Sequence, residues 1–379
     1  MLDRTVHLAG CSLAPRSTEM DAALARMLDA MAAGGLAWDA FEAEAGGLRD
    51  RYADLVGARP DEVALTPNAT IGAYQAASDL LWDARPVIVT TRTEFPSVAH
   101  VWLAQAARGA TVRFVEDAVG GGAEAGPTYE AYAAAVDGRT GLVSVPLVTY
   151  QDALRPPVTA IARLARAAGA AVFVDAYQGL GTQPVSVADL GADYLVGGNS
   201  KYLLGLPGTA FLYARSGRPH AADPTLTGWF GRRDPFAFDP ARLDFPDGAR
   251  RFETGTAPIP AVYAANAGLD LIAGLELAAV RSHVSALGEY VTGRLTGEGE
   301  TVRVGEPDRR GAHVALAEPD GHALGAWMAR HDITVSPRGN VVRLAPHFYS
   351  TIADMDAFCD LLKEYRHRNT ATADEMTRP

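Results

Sequence analysis

The chain has 379 residues, 48% apolar and 21% charged, with a formal net charge of -11 at pH 7. That length suits two packed domains with a large core that needs no disulfides. The acidity, broken by no basic stripe, argues against nucleic acid or an anionic membrane as the main partner. In chain order, short apolar runs rich in β-branched and aromatic residues predict strands at 63–66, 87–90, 112–115, 142–145, 171–174, 194–196 and 210–213. Helical patterns at 70–82, 98–108 and 158–168 fall between several of them. This alternation predicts an α/β fold whose large domain is a mostly parallel seven-stranded sheet covered on both faces.

After about residue 250 the pattern changes. Helices are expected at 259–272 and 276–295, a β-like run at 311–316, a helix at 321–331, strands around Val335 and at 341–344, and a last helix at 352–365. That is a smaller α+β domain. The expected division is residues 17–250 for the large domain, and residues 1–16 with 251–365 for the small one. The Gly-rich stretch 120–127 reads as a flexible loop, and 366–379 as a polar, disordered tail.

Cys11 and Cys359 are too few and too far apart for a disulfide framework, which suggests a reducing compartment. The first five residues carry no charged region followed by an apolar run, so no secretory leader is expected. No apolar stretch of about 18 residues predicts a membrane span. The expected location is the cytoplasm, and no metal is expected.

Only two of the 34 basic residues counted as Lys or Arg are lysines, Lys201 and Lys363. Lys363 sits on an amphipathic helical pattern and reads as solvated. Lys201 lies between apolar and Gly-rich segments and reads as buried. Upstream, the apolar run 171–174 ends on Asp175 and turns. Ligands of open parallel sheets bind at the carboxyl ends of strands, so Asp175 faces a ligand site. A lysine for a Schiff base and a carboxylate that keeps a pyridine nitrogen protonated are the two groups that pyridoxal phosphate (PLP) requires. Asp175 capping a turn and Lys201 lying on the surface is the plainer alternative. Asn68, Ala69 and Thr70 end a strand and open a helix, which offers free amides to a phosphate or marks a simple N-cap. Phe95 either stacks on the pyridine ring or belongs to the core. Arg343, flanked by apolar residues, needs an anion, either a substrate carboxylate or a structural partner.

The chain resembles fold-type-I PLP enzymes of the class V aminotransferase superfamily over roughly residues 6–365, and among them is most similar to kynureninase and its relatives. The matching segments are Leu8–Ala14, Glu94-Phe95-Pro96-Ser97, Asp175-Ala176-Tyr177-Gln178, Lys201, Gly228-Trp229-Phe230-Gly231, Pro235-Phe236-Ala237-Phe238, Arg251–Thr256 and Arg343. The resemblance implies that Lys201 carries the cofactor, Asp175 meets its ring nitrogen and Gln178 its phenolic oxygen. It places Phe95, Ser200 and Trp229 against the cofactor. It assigns Ser12, Trp229, Phe230 and Arg343 to the substrate, and Thr256 to the cofactor phosphate of a neighbouring subunit in a homodimer. Tyr150, Arg232 and Arg233 are further candidate substrate contacts. Gln178, Ser200 and Val98 stand where kynureninases usually have His, Tyr and Asp. Desulfurases carry a cysteine shortly before the arginine, and residues 336–341 contain none. A kynureninase-like lyase acting on an amino acid is expected, with a class V aminotransferase or a C–S lyase lacking a persulfide cysteine as alternatives.

Overall fold

The structure, a computed structural model, describes residues 5–33, 36–116, 126–218 and 220–376, with side chains to residue 368. It opens with a short strand, β1 (Val6–His7), and two helices, α1 (Thr18–Ala32) and α2 (Trp38–Val56). The alternation read from the sequence starts only at Val63, so both helices are additions to it. Ser17 caps α1 by accepting the Met20 N–H at 3.1 Å. Strands and helices then alternate: β2 (Val63–Thr66), α3 (Ala69–Ser78), β3 (Val87–Thr91), α4 (Pro96–Ala104), β4 (Thr111–Val115), α5 (Tyr129–Ala135) and β5 (Thr140–Pro146). They continue as α6 (Val158–Ala167), β6 (Ala171–Asp175), α7 (Val187–Leu190), β7 (Tyr194–Gly198) and β8 (Ala210–Ala214). Residues 120–125 of the expected flexible loop lie outside the described residues.

All seven predicted runs join one seven-stranded sheet, in the order β2-β8-β7-β6-β5-β3-β4. Strands β4, β3, β5, β6 and β7 are parallel to one another, and β8 runs antiparallel to both β7 and β2. One face packs into a core containing Val89, Val143, Val172 and Leu195, the other into a core containing Ile88, Trp102, Phe173 and Val196. Alternate residues of each strand serve alternate faces, and a sheet buried on both faces needs the nearly continuous apolar runs seen here. Each fully buried Val, Leu or Phe contributes about 1.5–3 kcal/mol of transfer free energy.

The chain continues with α8 (Ile259–Ala273), α9 (Leu277–Gly297), β9 (Val302–Arg303), β10 (Val314–Ala317), α10 (Gly321–Ala329), β11 (Ile333–Thr334), β12 (Ser336–Arg338), β13 (Val341–Leu344) and α11 (Ile352–Met376). An antiparallel sheet, β12-β13-β10-β9, carries the small domain. Its core includes Leu287 and Val291 of α9 and Met355 and Phe358 of α11. β1 pairs in parallel with β11, which ties the N-terminal segment to this domain.

Two expectations are corrected here. The sequence assigns α8 to the small domain, but Val262, Ala265, Leu269 and Ile272 of α8 are buried in the core of the large sheet, and the helix packs on α1 and α2. The expected disordered tail from Arg366 continues α11 to Met376. Arg366 holds it there through Glu300 at 2.8 Å and Glu318 at 2.5 Å. Residues 377–379 lie outside the described residues.

Candidate active site

Pro146 lies beside Asp175 and Asp175 beside Val196, so the carboxyl ends of β5, β6 and β7 form one rim. Asp175 is the last residue of β6. Lys201 follows β7 in a tight turn, closed by Leu204 N–H to Lys201 O at 3.1 Å and Gly205 N–H to Asn199 O at 2.8 Å. Leu204 holds φ 60 there, a left-handed conformation uncommon for such a side chain. Buried Asn199 donates to the Tyr52 hydroxyl. His347 Nε2 donates to Tyr202 O at 2.8 Å, while its Nδ1 accepts the Phe348 N–H at 2.8 Å. These bonds anchor the lysine turn to both domains.

A cavity of about 220 Å³ opens at this rim. Asn68, Ala69 and Thr70 line one end of it. Asn68 caps α3, its Oδ1 accepting the Ile71 N–H at 3.0 Å. The first-turn amides have no partner within a helix and carry its positive end. Gly72 lets α3 approach this closely, because a Cβ there would lie 2.7 Å from Val196 Cγ1 of β7. Phe95, at the start of α4, forms a wall, packed edge-on against Tyr150 with ring centroids 5.4 Å apart. Asp175, Gln178, Ser200 and Lys201 complete the expected set.

The Lys201 ammonium stands 5.4 Å from the Phe95 ring centre and 4.4 Å from that of Tyr177. Tyr177 packs directly on Gly198, where a Cβ would lie 2.6 Å from its hydroxyl oxygen, and it shares a 3.0 Å hydrogen bond with the Ser200 hydroxyl. Burial pushes the Lys201 pKa down to about 8, against the pull of the Asp175 charge. Asp175 Oδ1 accepts the Tyr177 N–H at 2.9 Å. Burial pushes its pKa up, while this bond and Lys201 oppose the rise.

Glu94 also lines the cavity, and the sequence motif gave it no role. Its carboxyl accepts from Ser144 Oγ at 2.8 Å and from the Phe95 N–H at 3.0 Å. Burial, then the Asp175 charge, pushes its pKa up to about 8. The motif gives Tyr177 no role either. An acid at or shortly after the end of a buried strand, as Asp175 ends β6 and Glu94 follows β3 by three residues, is the available signal for Glu94.

Gln178 donates through Nε2 to Cys11 O at 3.0 Å and leaves Oε1 buried without a partner among the described residues. Ala14 N–H bonds Ser200 O at 2.8 Å. Ser12 therefore sits on a segment clamped to the site on both sides, although it does not line the cavity. Arg343 of β13 is 1% exposed. Its Nη1 donates to Tyr150 O at 2.7 Å and its Nη2 to Ser336 Oγ at 2.6 Å. None of its partners is an acid, so among the described residues this buried charge lacks a counter-ion.

Trp229, Phe230 and Thr256 are not brought to the Lys201 cavity of their own chain. Phe230 and Thr256 line a second cavity of about 340 Å³ that also touches Thr66 and Pro67, just before the cap of α3. Trp229 stacks on Phe238 and lies tilted against Phe230 nearby. Glu253 anchors the loop before Thr256, accepting from Arg49 at 2.8 Å and from the Leu65 N–H at 3.1 Å. Arg232 is tied to Asp239 O at 3.0 Å, and Arg233 to Phe245 O at 3.0 Å.

The arrangement fits PLP. It offers an amine with a lowered pKa, a buried carboxylate on the same rim, a flat aromatic wall, a cradle of helix-end amides and an unpaired Gln178 oxygen. Residues 31–354 match the model of the family described as aminotransferase class-V. The chain is 33% identical over 348 residues to an uncharacterized aminotransferase, YcbU, of Bacillus subtilis (strain 168), covering 92% of this chain and 91% of that one. It is 30% identical over 292 residues to a kynureninase of Pseudomonas fluorescens, covering 73% of this chain and 67% of that one. Its fold is that of the cysteine desulfurase from Thermococcus onnurineus NA1, with a TM-score of 0.83 at 20% identity over 96% of this chain and 95% of the other. The chain belongs to the class V aminotransferase family and is a PLP-dependent enzyme of fold type I.

Proposed function

We propose that the enzyme is a kynureninase-like lyase that hydrolyses the Cβ–Cγ bond of an α-amino acid carrying an aryl ketone at Cγ: water adds to the Cγ carbonyl, Cγ leaves as an aryl carboxylate, and Cβ takes a proton to give alanine. The observation that carries this reading is the aromatic surface formed by Trp229, Phe230, Phe236 and Phe238, on which Phe236 and Phe238 are 50% and 70% exposed. The Phe230 N–H bonds Thr254 O at 3.2 Å, so the surface is locked to the loop that carries Thr256. A cluster of this kind suits an apolar partner or ligand. In a homodimer, a second copy would bring this surface and Thr256 to the open side of the Lys201 cavity. The 30% identity with kynureninase supports the same reading. Two buried free thiols, Cys11 and Cys359, suit a reducing cytoplasm.

PLP, when bound, supplies an aldehyde for the Schiff base and a ring that takes up electrons from a bond broken at the substrate's Cα. The protein's own groups do the rest. Arg343 holds the substrate carboxylate with the donors that Ser336 and Tyr150 leave free. Lys201, with its pKa near 8, is partly neutral at working pH and takes the Cα proton. Asp175 holds a proton at the ring nitrogen. The α3 amides bind the phosphate, and Phe95 keeps water from one face.

A class V aminotransferase is the second reading, favoured by the 33% identity with a relative of that name over 92% of this chain. Incubating the purified dimer or monomer with L-kynurenine and 3-hydroxykynurenine separates the two. Release of an anthranilate with alanine supports the lyase. A change in the cofactor's visible absorbance with no aryl product, and a keto acid formed instead, sinks the lyase and supports transamination.

A further inference from the structure

Lys201 lines the cavity, Arg343 reaches its wall through Tyr150 O at 2.7 Å, and a third buried group that feels both their charges has no role so far. His313 stands just before β10, 4% exposed, and among the described residues neither ring nitrogen has a hydrogen-bond partner of proper geometry. Its direction follows from the register. Val314 pairs with Leu344, and Ala315 pairs with Arg343. Val314 faces α9, since a Cβ on Gly288 would lie 3.6 Å from its Cγ2. His313 and Ala315 therefore face the other side, the one that carries Arg343. Gly311, two residues before His313, closes on the large domain. A Cβ there would lie 2.5 Å from Val148 Cγ1, and its N–H donates to Ala153 O at 2.6 Å. Val148 lines the Lys201 cavity.

Burial, together with the charges of Arg343 and Lys201, holds the imidazole neutral, with its pKa well below the ordinary value, although the nearby Gln151 main chain partly offsets this. A neutral imidazole offers one donor and one acceptor. Left unpaired and buried, such a group is destabilising. At a ligand site it discriminates strongly between ligands that pair with it and those that do not.

We propose that His313 hydrogen-bonds a polar group on the substrate's side chain while Arg343 holds the carboxylate, so that the enzyme selects amino acids with a hydrogen-bonding group beyond Cβ. This rests on the reading that Arg343 anchors an amino acid in the Lys201 cavity. A ligand gripped at both positions is held with its Cα beside the lysine amine, and a purely apolar side chain leaves His313 unpaired.

The test is equilibrium binding to the PLP-loaded enzyme, read by calorimetry and by the cofactor's visible absorbance. The ligand pairs are asparagine with leucine and glutamine with norleucine, with alanine as a ligand too short to reach. Wild type is expected to prefer the polar member of at least one pair by about tenfold or more. His313→Leu or His313→Phe, whichever loads PLP, is expected to reduce that preference to about twofold while alanine binds as before. The proposal is overturned if wild type shows no preference, if the preference survives both substitutions, or if alanine weakens as much as the polar ligands. If wild type loads PLP yet binds no amino acid, including alanine, the Arg343 reading fails as well, which separates that failure from one of His313 alone.

Discussion

Asp175 and Lys201 stand at the ends of adjacent parallel strands, the one closing β6 and the other just past β7, with Asp175 paired in register to Val196. The sheet sets where the carboxylate stands, and the hydrogen-bonded turn after β7 sets the amine beside it. A loop and a helix start supply the aromatic walls and β13 supplies the arginine, while the two groups that PLP chemistry needs stand at the end of β6 and in the turn that leaves β7.

Asp175→Asn removes the charge that keeps the ring nitrogen protonated and leaves the shape of the site. PLP is expected to load, as seen by its visible absorbance, and kcat to fall by about a hundredfold or more. A fall of less than about threefold would separate Asp175 from the chemistry.

Arg343→Lys keeps the positive charge and loses the fork. KM for the amino acid is expected to rise by about tenfold or more, with kcat changed far less. An unchanged KM would return Arg343 to a purely structural role beside Ser336 and Tyr150.

In the cofactor-free protein, the Lys201 pKa falls from 10.5 unfolded to about 8 folded. Between these values the unfolded chain binds the extra proton, so this site makes stability rise with pH from about 8 to about 10. Denaturant unfolding of wild type and Lys201→Met across that range is expected to show the wild-type curve gaining on the variant, by roughly 3 kcal/mol at most. Parallel curves would contradict a buried amine.

Glu94 gives the opposite slope in the adjoining window. Its pKa rises from 4.5 unfolded to about 8 folded, so the folded protein holds the extra proton and stability falls as pH rises from about 4.5 to about 8. Glu94→Gln mimics the protonated carboxyl and is expected to lack that fall. If the difference between variant and wild type is flat across the window, Glu94 is ionised in the fold.

The sheet was legible because each strand is a short apolar run between turn signals. The seven runs named from the sequence are the seven strands of the large sheet. Asp175 and Lys201 were legible because an acid ending a buried strand and a scarce lysine have few structural explanations. Helix α2 was not. It carries Gly46 and Gly47 in its middle, each costing about 1 kcal/mol of helix propensity, and it starts without a side-chain cap. It is held by packing on α8, a contact between segments far apart in sequence. The run of α11 past Tyr365 was hidden for a similar reason, since Arg366 at its start is held by Glu300 and Glu318, far away in sequence. Glu94 and His313 are not legible in the sequence because a buried polar residue looks like any other until its partners, or their absence, are seen in space.

The most direct test uses the fact that the chain has only two lysines, Lys201 and Lys363. The PLP-loaded protein is reduced with borohydride, digested, and its peptides mapped by mass spectrometry. The account predicts the cofactor's mass on the peptide containing Lys201 and none on the peptide containing Lys363. Label on Lys363, or on neither lysine in a protein that has been offered PLP, would contradict it.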